Sequence, residues 1–254
     1  RGKDRRSSLQ AVCRGNWGRI TRLNITLPDE YKNEALSKMG EGLGNLYLQL
    51  VSELAALDMK WRFYCLLFRV NEERVALLNE WLSGEIASFV QDSMLDSVIL
   101  SISFVSDNSR SAFSIKKFPA KMERAKDGIP SGLFRICDDA AKTALDAVKS
   151  IRDNHIAHHN RALYALNDVH HAYPTYEKID EICKKYHLFA NTLAKYWDVN
   201  QFELRTESFE NKVERFFCRL SDEDFNSERI MSKRHEWEYL SDLFEGFRES
   251  IDLV

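Results

Sequence analysis

Three of the seven histidines fall within five residues, in Ile151-Arg152-Asp153-Asn154-His155-Ile156-Ala157-His158-His159, and His170 and His171 follow shortly after. Three chemistries compete for this cluster. His155 and His159 are four apart, the spacing by which one helix face presents two ligands to a metal. A catalytic zinc would also need a third ligand and a general base, and no His-Glu-x-x-His pattern occurs. A second reading is a polar helix face whose histidines make hydrogen bonds. The third pairs Arg152 with a histidine as an RNA-cleaving site. Cutting RNA without a metal requires a base to take the 2′-OH proton, an acid to protonate the leaving 5′-oxygen, and a cation to steady the charged phosphorane. Histidine suits the first two roles because it titrates near neutral pH. Arginine suits the third because its planar guanidinium stays charged and grips phosphate oxygens bidentately. One copy of the segment holds too few groups for a full acid–base pair unless adjacent histidines share the work. Two copies facing each other across a dimer axis supply them twice, so this chemistry implies a homodimer.

Helix geometry constrains which histidine serves. At 100° per residue, Arg152 and His158 stand roughly 120° apart, whereas Arg152, His155 and His159 fall within roughly 80°. A bend, or a groove approached from both sides of a dimer axis, would bring His158 back. Outside the cluster, Asp96 lies amid a strongly apolar helix, where an unpaired acid is costly, so it is expected to reach a partner, Arg152 among the candidates. Asp58, Asp96 and Asp107 could also be read as paired carboxylates; Asp107 is more simply a helix-ending loop residue. Trp61, Tyr64 and Trp81 sit in apolar stripes and read as core. Cys65 reads as an inert core thiol, and His170 and His171, ahead of Pro174, as exposed loop residues.

The elements that must position these groups read as helices almost throughout. Pro28 with Asp29 and Glu30 opens a first helix with acids at its positive end, and Gly40, Gly42 and Gly44 are expected to break it. An apolar stripe follows through Leu46, Leu50, Leu54, Leu57, Trp61, Tyr64 and Phe68, spaced mostly three or four apart. After a turn at Asn71 and Glu72, a second stripe runs Val75, Leu78, Trp81, Leu82, Ile86, Phe89 and Val90. It continues into Leu95, Ile99, Ile102 and Phe104 as one long helical element. A loop is expected over 106–111, and stops at Pro119 and at Asp127-Gly128-Ile129-Pro130. A helix then runs from about Ser131 through Ala140, Ala144, Val148 and Ile151, another from Thr175 to about Trp197, and two more around 205–220 and 227–250. The fold class expected is all-α, a helical bundle with short connections.

The 254 residues, 44% apolar and 30% charged with 10 Gly and 4 Pro, exclude wholesale disorder and a turn-rich β fold. No run of 18 uncharged apolar residues occurs, so no membrane span is expected. The five scattered cysteines show no Cys-x-x-Cys, which fits reduced thiols in a cytoplasmic setting better than a disulfide frame or zinc module. The formal charge of −3 is unevenly spread. Residues 1–23 carry seven bases against one acid, and Asp198 onward fifteen acids against eight bases. The basic stretch could touch nucleic acid or an acidic partner, or be a solvated extension.

Arg152 to His158 forms Arg-x5-His, which resembles the Arg-x(4–6)-His motif of the HEPN superfamily. Three further stretches, in this order along the chain, resemble the abortive-infection AbiU-type branch: Leu43-Gly44-Asn45-Leu46-Tyr47, Asp58-Met59-Lys60-Trp61-Arg62-Phe63-Tyr64, and Leu95-Asp96-Ser97-Val98-Ile99-Leu100 running on to Ser106-Asp107. The likeness covers roughly Leu43 to Tyr196. It implies an α-helical bundle that dimerises with its motifs face to face, and a metal-independent endoribonuclease used in antiphage or toxin-like defence. Carried over by position, Arg152 would hold the scissile phosphate and His158 act as base or acid, with His155 and His159 next in rank and Asp153, Asn154 and Asp96 in support. Where the superfamily often has Asn after the arginine, Asp153 stands here; it could orient Arg152 or weaken its hold on an anion. No cofactor or metal is implied. RNA, a second copy and a defence-system protein are the expected partners. Several HEPN proteins bind RNA or a partner without cutting, so a non-catalytic module is the alternative. The expected division is a basic extension over 1–27, the bundle over 28–197, and a C-terminal helical extension over 198–254 packed on it.

Overall fold

The computed structural model describes residues 25–107, 113–151, 173–201 and 207–221. Among them are seven α-helices, one 3-10 turn and no strands, an all-α bundle as the patterning predicts. Helix α1, Asp29–Phe68, is two arms that meet at Gly40 (φ 74°), a backbone conformation that glycine adopts at little cost. The expected break therefore falls on one glycine; Gly42 and Gly44 are helical. The chain folds back there as a helical hairpin. The Tyr31 and Tyr47 hydroxyls share a hydrogen bond of 2.8 Å, and Ser52 Oγ donates to the Ile25 carbonyl at 2.9 Å. At the crossing, a Cβ on Gly44 would lie 3.1 Å from the Ala35 carbonyl oxygen and from Leu36 Cα. Gly44 is thus where the two arms touch backbone to backbone.

The long second stripe is two helices rather than one. Helix α2, Glu72–Leu82, starts with the Asn71 side chain accepting from the Arg74 N–H, as an N-cap should. It ends at Ser83 (φ 67°), and α3, Gly84–Ser106, begins immediately after. Apolar spacing carries across the junction while the backbone does not, so Ile86 and Phe89 emerge exposed. After a 3-10 turn, Ile115–Lys117, helix α4 spans Phe118–Ala125. Pro119 sits in its first turn, where the missing N–H costs nothing; the residue expected to stop a helix starts one. Gly128 (φ 71°) turns the chain into α5, Ser131–Ile151. Helix α6, Tyr176–Tyr196, has the Thr175 hydroxyl accepting from the Lys178 N–H and closes at Trp197 with Asp198 left-handed (φ 57°). Helix α7, Glu207–Leu220, follows. The helix expected around 227–250 lies outside the described residues.

The second arm of α1 packs against α3, α3 against α5, α5 against α6, and α6 back against α1. Contacts between side chains set the directions. Asp58 meets His187, Trp61 meets Asp180 and Tyr64 meets Tyr176, so α1 and α6 are antiparallel. Lys60 meets Ser101 and Tyr64 meets Gln91, so α1 and α3 are antiparallel too. The result is an up-down-up-down four-helix bundle. Its core runs through Leu50, Leu57, Ile99, Ile102, Phe189 and Leu193, each fully buried. Helix α5 contributes Ala140, Ala141 and Ala144, small residues that let it approach its neighbours closely. Helix α7 packs on α1 and α2: Phe209 meets Phe63 edge-on, Phe216 meets Trp81, and Arg74 holds both Glu214 carboxylate oxygens at 2.6 Å.

One described helix, Gly84–Ser106, is long and apolar enough to cross a membrane by length and composition, with a mean hydropathy of 1.2 over its best window. A charge-free run is a stricter requirement than a window average, and Asp92 and Asp96 interrupt the run without lowering the mean below that level. Val98, Ile99, Ile102 and Val105 of this helix are fully buried in the bundle.

Candidate functional site

Arg152, Asp153, Asn154, His155, His158 and His159, together with His170 and His171, lie outside the described residues. The helices that lead into and out of that stretch are described. Lys185 Nζ bonds Asp139 and Thr143, each at 2.9 Å, while Cys137 donates to the carbonyl of Ile115, three residues before the Phe118 that packs on Phe189; the two points together make α5 and α6 antiparallel and set their register. Ile151 ends α5 eight residues after Thr143, and Tyr176 begins α6 nine residues before Lys185. At the same rise per residue, the end of α5 and the start of α6 are level, so Arg152 directly follows a backbone position at this end of the bundle.

That end carries an aromatic and polar cluster. Trp61 and Tyr64 of α1 stack with ring centroids 5.4 Å apart, and Tyr176 leans against both. Both Trp61 and Tyr64 are buried, as their place in an apolar stripe predicts; Trp81 is half-buried against Phe216. The Trp61 indole donates to Asp180 at 2.6 Å, and Gln91 donates to the Tyr64 hydroxyl at 3.2 Å. Burial pushes the Tyr64 hydroxyl above its ordinary range, so it stays protonated and serves as a hydrogen-bonding group. The Arg69 guanidinium lies 4.8 Å over the Tyr176 ring and reaches Asp180 at 3.4 Å. Beside it, Phe68, Arg69, Asn71, Val75 and Asn79 line an open groove of about 420 Å³ between α1 and α2.

Asp96 is half-buried on α3 and accepts a 2.7 Å hydrogen bond from the Tyr173 hydroxyl. The expectation that this acid reaches a partner is met by a tyrosine, the residue at which the described chain resumes after 152–172. Two α3 residues, Asp96 and Gln91, thus hold the tyrosines that flank the start of α6. Asp107 caps the end of α3, as a helix-ending residue should.

No motif in the sequence singles out His187. Its Nε2 lies 2.7 Å from Asp58 Oδ2, across the α1–α6 seam. The Asp58 hydrogen bond favours the protonated ring and raises the His187 pKa above its ordinary value. The pair borders a small cavity lined by Tyr47, Val51, Leu54 and Asn191, about 30 Å³, with room for a water. It lies eleven residues along α6 from Tyr176, well away from the bundle end that leads to Arg152. A histidine and an aspartate separated by 129 positions leave no local signal in a sequence. Lys60 donates to Ser101 at 2.8 Å, and burial lowers its pKa. Cys65 is half-buried rather than fully in the core, and burial raises its thiol pKa, which leaves it unreactive as expected. Among the described residues no group of three or more His, Cys, Asp or Glu side chains is arranged to hold a metal.

The model of a HEPN-type family, described as AbiU2, matches residues 40–216. The chain belongs to the AbiU2 family. The matched span opens at Gly40, the reversal point of the α1 hairpin, and runs through the four-helix bundle into α7. It extends beyond the Leu43 to Tyr196 stretch at both ends. AbiU2 is a HEPN-type, abortive-infection-related family, and the span that carries the match includes Arg152 to His159. No curated protein and no solved structure matches the chain.

Proposed function

We propose that the protein is a metal-independent endoribonuclease acting in antiphage abortive infection or toxin-like defence, with Arg-x5-His elements of two copies meeting at a homodimer interface. The AbiU2 family match across residues 40–216 supports this reading, because the matched span includes the Arg152 to His158 stretch. Arg152 binds the scissile phosphate and neutralises charge as the phosphorane forms. One histidine, His158 first in rank and His155 or His159 behind it, takes the 2′-OH proton, and a second protonates the 5′-oxygen as it leaves. The products are a 2′,3′-cyclic phosphate and a 5′-OH. Asp153 and Asn154 follow the arginine directly, and Asp96 acts at one remove by fixing Tyr173.

Cleavage of mixed cellular RNA in excess EDTA tests the reading, comparing the protein with Arg152→Ala, His158→Ala and His159→Ala. Expected are cyclic-phosphate ends, activity that survives the chelator, and a loss of about a hundredfold or more in the arginine variant and in whichever histidine serves. Absence of cleavage from folded protein, with and without metal, sinks it. The replacement of the usual Asn by Asp153 favours a second reading, a non-catalytic HEPN module that binds RNA or a partner protein. In that case Arg152→Ala weakens binding and no variant cuts.

A further inference from the structure

Five large apolar side chains stand exposed among the described residues, Val70, Ile86, Phe89, Leu100 and Leu188, and three of them lie on α3. Phe89 is 70% exposed, Ile86 53% and Leu100 42%. Around an ideal helix Ile86, Phe89, Ser93, Ser97, Leu100 and Phe104 share a sector of roughly 80°. The opposite side of α3 is the buried one, through Leu95, Val98, Ile99, Ile102 and Val105. Phe104 is half-covered by Phe113, which stacks on it at 6.0 Å; among the described residues, Ile86, Phe89 and Leu100 have no such cover.

The order of sizes along this stripe reads alike from either end: large, large, small, small, large, large. An isologous contact needs that property, because residue i must fit residue j while j fits i. An antiparallel copy turned about a two-fold axis beside Leu95 sets Phe89 against Leu100 of the partner subunit and Ile86 against Phe104 of the partner subunit. Ser93 then faces Ser97 of the partner subunit at the centre, where small side chains let the helix axes approach to about 8 Å. Asp96, one residue from that axis, holds Tyr173. Ile151 is level with the start of α6, as the α5–α6 register shows. Both chain ends that lead to residues 152–172 therefore stand at the height of the axis.

We propose that this stripe of α3 is the surface on which two copies of the chain pair, antiparallel, about a two-fold axis beside Leu95. The inference deepens the ribonuclease reading and rests on it for the need of a second copy: the acid–base site is incomplete in one chain. The surface itself stands on the exposure and symmetry of the stripe. Asp92 and Asp96 lie on one flank only, so the two-fold brings four carboxylates to the same side. Salt screens that repulsion, and association tightens as ionic strength rises.

Sedimentation equilibrium at micromolar concentration tests the pairing on the full chain, with Phe89→Glu and Leu100→Glu beside the unaltered protein. Both side chains are exposed in the single copy, so helicity stays unchanged and the melting temperature falls only by what the lost association contributed. The two-fold counts each substitution twice, and dimerisation weakens by roughly a hundredfold or more. A second measurement reads the register directly, in a background with Cys13 and the exposed Cys218 changed to serine. Ser93→Cys protein mixed with Ser97→Cys protein forms a disulfide dimer, and neither does so alone at the same rate. A monomeric parent protein, a dimer indifferent to both charge substitutions, or equal cross-linking in all three samples overturns the proposal. Cleavage is scored separately. A dimer broken by Phe89→Glu in a protein that never cuts RNA sinks the ribonuclease reading alone; an active dimer untouched by Phe89→Glu sinks the surface alone.

Discussion

Tyr173→Phe removes one hydroxyl and tests whether the Asp96 contact holds the chain where it returns to the bundle. The 2.7 Å bond joins two half-buried side chains on elements 77 positions apart. A hydroxyl bonded to a carboxylate contributes about 1.5–3 kcal/mol when buried, and half-exposure reduces that to about 1–2 kcal/mol. In a chain of this size 1 kcal/mol moves the melting temperature by about 2–4 °C, so the variant should melt roughly 2–8 °C lower. Asp96→Ala loses the same bond and regains about 0.5 kcal/mol of helix propensity. The double variant should be no less stable than Tyr173→Phe, with a coupling energy of about 1 kcal/mol or more across the thermal-melt cycle. Strict additivity, or a shift in melting temperature under about 1 °C in Tyr173→Phe, would refute the reasoning. On the proposed ribonuclease reading, RNA cleavage by Tyr173→Phe, measured well below the melting transition, should fall by more than its unfolded fraction explains, because residues 152–172 join the bundle at Tyr173.

Two further outcomes follow from the α1 hairpin and the α1–α6 seam. Gly44→Val, whose Cβ would stand 3.1 Å from backbone atoms of Ala35 and Leu36, should cost about 2–3 kcal/mol in urea unfolding. Gly42→Ala, two positions away with only the Lys121 ammonium at 3.7 Å, should stabilise by up to about 1 kcal/mol; equal effects at the two sites would contradict the close approach at the crossing. The Asp58 bond raises the folded pKa of His187 above 6.5, so its contribution is full below that pH and is lost as pH rises through the folded value. Urea midpoints should decline over that window in the parent protein and lose this component in Asp58→Asn; superimposable pH profiles would rule the linkage out.

Local chemistry made much of this protein legible from its residues alone. Thr175 and Trp197 mark the ends of α6 because a hydroxyl at an N-cap and a left-handed Asp198 act within one turn of chain. Apolar spacing named the core of α1, α3 and α5, and the order of the Leu43, Asp58 and Leu95 stretches indicated the family that the match over residues 40–216 establishes. Asp96 was legible as an acid needing a partner, since burial penalises any unpaired carboxylate.

Contacts between distant parts of the chain decided the rest. Three glycines stand within five positions, yet only Gly40 takes positive φ, because Gly44 must stay helical and side-chain-free where the arms cross. The break at Ser83 is silent in a pattern of apolar spacing, since that pattern records which residues are apolar and not whether the backbone between them continues. His187 and Asp58 meet only because α1 and α6 run antiparallel, and which tyrosine answers Asp96 depends on how the start of α6 lies against α3. The sequence by itself determined the all-α class, most of the described helices with their apolar faces, and the presence of an Arg-x5-His element. Tertiary structure decided where chain ends converge, which acids are answered, and which apolar stripe is left facing outward, because each depends on how rigid helices align once their cores are buried together.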